Sequence, residues 1–150
     1  MELVELSVQI VDGASPTITT PAYQTAGAAG FDLQANICRR ILLGSRDWMM
    51  VPTGLRIAIP EGFEGQIRSR SSVALRHGVQ VLNSPGTIDS DYRGDISVVL
   101  INHSNVPYQI NPGDRIAQMI IARVTQPLIR ITNTLNSTDR GESGWGSTGK

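Results

Sequence analysis

"VELSVQIV", residues 4–11, sets Val4, Leu6, Val8 and Ile10 on one side of an extended chain and Glu5, Ser7 and Gln9 on the other. Side chains of a strand alternate between faces, so a period of two marks a sheet with one dry and one wet side. The same period returns in "GLRIAIP", residues 54–60, through Leu55, Ile57 and Ile59. Between such runs the turn signals "VDGASP", "TAGAAG", "LLGSRD", "IPEGFEG", "NSPG" and "NPGD" recur. Short strands punctuated by Gly and Pro predict an all-β sandwich or barrel.

One short helix is expected over "SSVALRHG", residues 71–78, with Ser71 or Ser72 as cap and Gly78 as terminator. "RIAQMIIARV" follows the turn "NPGD" and is rich in Ile and Val, so it reads as a strand. "ISVVLI" and "AQMIIA" are apolar at nearly every position, which predicts strands buried on both faces, the second face covered by another subunit. From Thr132 the chain turns polar, with Leu135 and Trp145 its only large apolar side chains. The expected organisation is a domain over residues 1–131 and a flexible arm over 132–150. No internal repeat is visible.

A chain of 150 residues is long enough for one domain with its own core. Thirteen basic residues balance thirteen acidic ones, so no broad positive field exists to hold nucleic acid or a membrane surface. The apolar runs are far short of a membrane span, and the N-terminus lacks the pattern of a secretory signal. Cys38 is the single cysteine, and no Cys/His cluster has zinc spacing. His77 and His103 stand alone and read as surface or loop residues. The expectation is a soluble cytoplasmic protein.

Four stretches carry more than structure requires. "LNSPGTIDSDYRGD", residues 82–95, reads as a hairpin, yet an acid, a tyrosine and an arginine follow its turn. "GQIRSRSSVA", residues 65–74, brings Arg68 and Arg70 beside three serines where a helix begins; this is either a phosphate site or a capped helix with solvated arginines. "GAAGFDLQA", residues 27–35, sets Asp32 among small and apolar neighbours. In "PGDRIAQMII", residues 112–121, Gln118 interrupts an apolar strand, either as a structural hydrogen bond or as a ligand contact.

Taken in order, "AGAAGFDL", "RSRSSVA", "NSPGTIDSDYRG", "GDRIAQMI" and "RGESGWGSTG" resemble the five ordered motifs of the trimeric deoxyuridine triphosphatases, over about Ala26 to Gly149. The resemblance implies a β jelly roll and a homotrimer with three sites, each built from three subunits. It implies hydrolysis of dUTP to dUMP and pyrophosphate with Mg²⁺ held on the triphosphate, which limits uracil incorporation in DNA and supplies dUMP for thymidylate synthesis. Asp89 matches the general base, a carboxylate able to take a proton from the attacking water. Asn83 and the backbone of Gly86, Thr87, Ile88 and Asp89 match the hairpin that reads the uracil edge, with Ser97 completing the pocket. Tyr92 matches the ring against the deoxyribose. Arg70, Ser71, Ser72 and Gln118 match phosphate ligands, and Asp32 an acid near the waters of the metal, which has no direct protein ligand. Arg140, Trp145, Ser147 and Thr148 match the arm's contacts, the tryptophan stacking on uracil.

Two departures stand out. Where the family commonly has Pro-Arg-Ser-Gly, this chain has Ser69-Arg70-Ser71-Ser72, and Trp145 replaces the usual phenylalanine. A related rival, dCTP deaminase, needs a glutamate in the strand after the hairpin, and "ISVVLIN" has none. A non-catalytic nucleotide-binding jelly roll is the other alternative; the presence of Asp89 and the arm argues against it.

Overall fold

The computed structural model describes residues 4–145. Ten strands and one helix follow in the order β1 (Ser7–Ile10), β2 (Phe31–Gln34), β3 (Ile41–Leu43), β4 (Trp48–Ala58), β5 (Phe63–Arg68), α1 (Ser71–His77), β6 (Val79–Val81), β7 (Gly86–Ile88), β8 (Ile96–Asn102), β9 (Tyr108–Ile110) and β10 (Arg115–Arg123). One sheet runs β1-β4-β8-β6 and a second runs β2-β10-β5-β7, with β3 and β9 paired apart. Every pairing is antiparallel. Leu55, Ile57, Val98 and Leu100 from the first sheet share one core with Phe31, Leu33, Ile67 and Met119 from the second. This is the expected jelly roll. No helix among the described residues is long and apolar enough to cross a membrane.

The period of two in residues 54–60 is realised in β4 and just beyond it, where Leu55, Ile57 and Ile59 are buried. The β4–β8 register slips between Pro52 and Leu55. Pro52, which has no N–H for a ladder, and Gly54, at φ 72°, sit at that bulge. Thr53 is fully buried beside them, and its hydroxyl donates to the Ile96 carbonyl at 2.7 Å.

One expectation needs correction. Neither Ser71 nor Ser72 caps α1: Arg70 is the N-cap, in extended conformation, and no side chain bonds to the helix start. Both serines are the first helical residues and are exposed, while Gly78, at φ 64°, ends the helix as expected. Within one chain each apolar strand buries one face and leaves the other half-open, the face expected to be covered by another subunit. In β8, Ile96, Val98, Leu100 and Asn102 are buried and Ser97, Val99 and Ile101 half-buried. In β10, Met119 is buried while Gln118, Ile120, Ile121 and Ala122 are half-buried. The pleat sends alternate side chains outward, and one copy places no second layer there.

Regular structure ends at Arg123, and residues 124–145 run exposed, Leu128, Ile129, Ile131, Leu135 and Trp145 included.

Candidate active site

A cleft of about 260 Å³ opens where β2, β10 and the start of α1 converge. Asp32 comes from β2, Gln118 and Arg115 from β10, and Arg70, Ser71 and Ser72 from the β5–α1 junction. Gln24, Ala28 and Gly30 form the remaining wall. Gly30 is there because the backbones touch: a Cβ would stand 2.8 Å from the Met119 carbonyl oxygen. That approach holds β2, and with it Asp32, tight against β10.

The charges in this cleft are ordered. Arg70 Nε donates to Asp32 Oδ1 at 2.8 Å, with the two side chains 22 % and 16 % exposed. Arg70 Nη1 donates to the Arg115 carbonyl at 3.0 Å, and Arg115 Nη1 donates to Asp32 Oδ2 at 3.2 Å. A guanidinium has five N–H donors in a fixed fork, so Arg70 keeps donors for a ligand. The hydroxyls of Ser71 and Ser72 and the first N–H groups of α1, which lack partners within the helix, add to that supply. Gln118 fulfils its structural reading, since its Nε2 donates to the Ser69 carbonyl at 3.0 Å. Its half-buried side chain also lines the cleft.

Ser69, which stands where the family commonly has proline, has a task of its own: its hydroxyl accepts from the buried Val81 N–H at 2.9 Å. The junction that aims Arg70 is thereby tied to β6.

Asp89 lies elsewhere. It follows β7 directly and lines a wider cleft, about 860 Å³, with Thr87, Asp91 and Arg93 of the hairpin, Phe63 and Glu64 of β5, and Gln126 beyond β10. Asp89 is exposed, and its carbonyl accepts from the Tyr92 N–H at 3.2 Å to close the turn. The tyrosine hydroxyl donates to the Asp95 carbonyl at 3.2 Å. Upstream, the Ser84–Pro85 peptide is cis. Gly86 is buried, and a Cβ on it would stand 3.2 Å from the amide nitrogen of Asn83. Asn83, Gly86, Thr87, Ile88 and Asp89 are therefore one compact hairpin, with Ile88 half-buried against β5. Ser97, on β8, faces Pro52 of β4 and lines neither cleft.

Arg140 turns back on its own segment, Nε donating to the Ser143 carbonyl at 2.9 Å, and Trp145 is fully exposed. Ser147 and Thr148 lie outside the described residues. Cys38 is exposed. His77 closes α1 with its ring 4.9 Å from that of Tyr108, and His103 Nε2 meets the Gln80 amide at 2.7 Å. Reading the sequence passed over two residues of the first cleft, Gln24 and Arg115. Arg115 had a signal, standing three residues before Gln118 in the same motif.

Fold and clefts together define a β jelly roll with a cationic, hydroxyl-lined cleft suited to a phosphorylated ligand. The family model described as dUTPase matches residues 17–149, and the chain belongs to the dUTPase family. It is 50 % identical over 150 residues, 99 % of either chain, to the deoxyuridine 5'-triphosphate nucleotidohydrolase of Roseobacter denitrificans. The protein of the same description from Fusobacterium nucleatum is 49 % identical over 133 residues, 89 % of this chain and 91 % of that one. Among solved structures, the dUTPase of Staphylococcus bacteriophage 80alpha with dUpNHpp superposes with a TM-score of 0.85 at 24 % identity, covering 97 % of this chain and 99 % of that one. A phage phi11 dUTPase, described with a structural Mg(II) ion, gives 0.74 at 22 % identity over 87 % and 97 %. At these identities the structures bear on the fold.

Proposed function

We propose that this chain is a dUTP diphosphatase whose active site is assembled from several copies. It hydrolyses dUTP to dUMP and pyrophosphate by attack of water on the α-phosphorus. One observation carries the assembly. Ile88 faces Gly65 across β7 and β5, so Asp89 falls beside Glu64, while Arg70 follows Glu64 by six residues. At about 3.3 Å per residue the base and the phosphate-binding arginine are roughly 20 Å apart. A general base acts within hydrogen-bond distance, directly or through one water. That separation favours a site in which Asp89 of a second copy serves the Arg70 cleft of the first.

Three copies in a ring give three such sites, and the half-buried apolar faces of β8 and β10 suit contact between copies. Residues 132–150 form the arm that closes a neighbouring site, Trp145 over the uracil and Arg140, Ser147 and Thr148 on the γ-phosphate. The exposure of Trp145 in a single chain favours this reading, because a large ring gains most when a base gives it a surface to cover.

Within the site, Asp89 orients the water and takes its proton. Asn83 and the Gly86–Asp89 backbone read the uracil edge, and Tyr92 packs on the deoxyribose. Arg70, Ser71, Ser72 and Gln118 hold the phosphates. No group of three or more Asp, Glu, His or Cys that could cage a metal occurs among the described residues. Mg²⁺ arriving on the triphosphate would be held by the phosphates and would supply charge neutralisation there. Asp32, with lone pairs left on both oxygens, would accept from its waters. A deoxynucleotide substrate suits a cytoplasmic protein.

The test is product analysis with dUTP, dCTP, dTTP and UTP, each with Mg²⁺. Pyrophosphate from dUTP, far less from dTTP and UTP, is the expected result. Ammonia from dCTP would make the protein a deaminase, and binding of dUTP without turnover would make it a non-catalytic binder.

A further inference from the structure

Arg115 touches both members of the Asp32–Arg70 pair, one with its backbone and the other with its side chain. A break in the ladder makes this possible. The β10–β2 register passes from Arg115↔Gln34 to Ala117↔Leu33, so Ile116 is an extra residue. Ile116 and Ala117 are consecutive and both buried, the local signature of a bulge. A bulge releases a carbonyl from strand pairing and re-aims the neighbouring side chain. Here the Arg115 carbonyl turns to Arg70 and its guanidinium to Asp32.

The charges give this arrangement a purpose. Asp32 and Arg70 alone sum to zero, which leaves nothing to attract a triphosphate. Arg115 brings the trio to one positive charge. When a triphosphate draws Arg70 away, a largely buried carboxylate would be stranded, and an uncompensated buried charge is strongly unfavourable. Arg115, half-exposed at 49 %, stays paired with Asp32 and removes that penalty.

Building on the function proposed above, we propose that Arg115 is a positioning residue: it holds Asp32 so that Arg70 can turn from the carboxylate to the triphosphate. It acts through Asp32 and not by its own contact with phosphate.

The test measures binding of dUpNHpp and of dUMP, with Mg²⁺, to the full chain and to R115Q, R115K, D32N and the double variant D32N/R115Q. Unmodified protein that fails to bind dUpNHpp would defeat the functional reading itself, separately from this inference. If it binds, R115Q is expected to weaken dUpNHpp about tenfold, the low end for a lost charge-assisted hydrogen bond, and to leave dUMP within about twofold. R115K keeps the charge and should fall between the wild type and R115Q. In the D32N background no carboxylate recaptures Arg70, so adding R115Q should cost less than about twofold. An R115Q loss of equal size with and without Asp32 would mean direct phosphate contact and overturn the proposal. So would a lysine variant no better than the glutamine variant, or an R115Q variant that loses dUMP and dUpNHpp alike.

Discussion

Gly27 and Gly30 lie in the same five-residue stretch, "GAAGF", and the structure separates them sharply. A Cβ at Gly30 would sit 2.8 Å from the Met119 carbonyl oxygen and 2.9 Å from Ile120 Cγ1. The first of these atoms is backbone of β10, a strand paired on both sides, so it cannot swing away like a side chain end. Gly30→Ala must push β2 off β10. Overpacking of this kind costs about 1–3 kcal/mol, which for a domain of this length lowers Tm by roughly 2–12 °C. The displaced strand carries Asp32, so the 2.8 Å bond to Arg70 should loosen and KM for dUTP should rise. At Gly27 a Cβ meets nothing within 4 Å. Gly27→Ala should leave Tm unchanged or raise it slightly, since alanine restricts the unfolded chain. Calorimetric melting and steady-state pyrophosphate release on both variants decide the matter. Equal melting points for the two alanine variants would refute the claim that strand contact at Gly30 sets the cleft.

Asp89→Asn keeps the shape of the hairpin but cannot accept a proton, so turnover should fall by roughly 10²–10⁴-fold with dUpNHpp binding retained. Asp91→Asn is its control, expected to alter stability more than rate; the reverse pattern would assign the base to the other acid. Ser69→Ala leaves the Val81 N–H buried without its acceptor and should cost about 1–3 kcal/mol in denaturant melts. Burial, and then Asp114, raise the Tyr108 hydroxyl above its ordinary pKa of 10.0, with Arg70 opposing. The folded chain therefore holds that proton more tightly than the unfolded one. Its contribution is full below about pH 10 and is lost as the pH rises through the folded-state value, so Tyr108→Phe should flatten the alkaline limb of a stability–pH curve.

Much of this was legible in the sequence because strand periodicity and turn residues are local signals. "GLRIAIP" buries Leu55, Ile57 and Ile59 as its alternation dictates, and "RIAQMIIARV" is a strand from Arg115 to Arg123 despite a composition compatible with helix. Gly78 ends the helix for the reason its type suggests. The cap was misread because serine's preference for N-caps is a local tendency, whereas the backbone leaves its extended path at Arg70. Uniformly apolar strands record burial without saying what buries them, so Val99 and Ile101 look like core in sequence and are half-open in one chain. Arg115 shares a motif with Gln118, but the bulge that aims it depends on the partner strand, which no local pattern encodes. Ser69's bond to Val81 spans twelve positions and has no sequence mark at all.

The separation of Asp89 from Arg70 is the centre of this account, and subunit mixing tests it directly. Arg70→Gln and Asp89→Asn proteins should each be nearly inactive, and Arg70→Gln should still fold because Asp32 keeps Arg115 as partner. Unfolded together in equal amounts and refolded, they should form the proposed trimers, in which some sites join Arg70 of one copy to Asp89 of the next. With random assembly and one cyclic pairing per site, about a quarter of the sites are intact, so about a quarter of wild-type dUTP hydrolysis should return. Mixed oligomers that form and show no more activity than the two parents would mean that base and phosphate cleft belong to a single chain, contradicting the account.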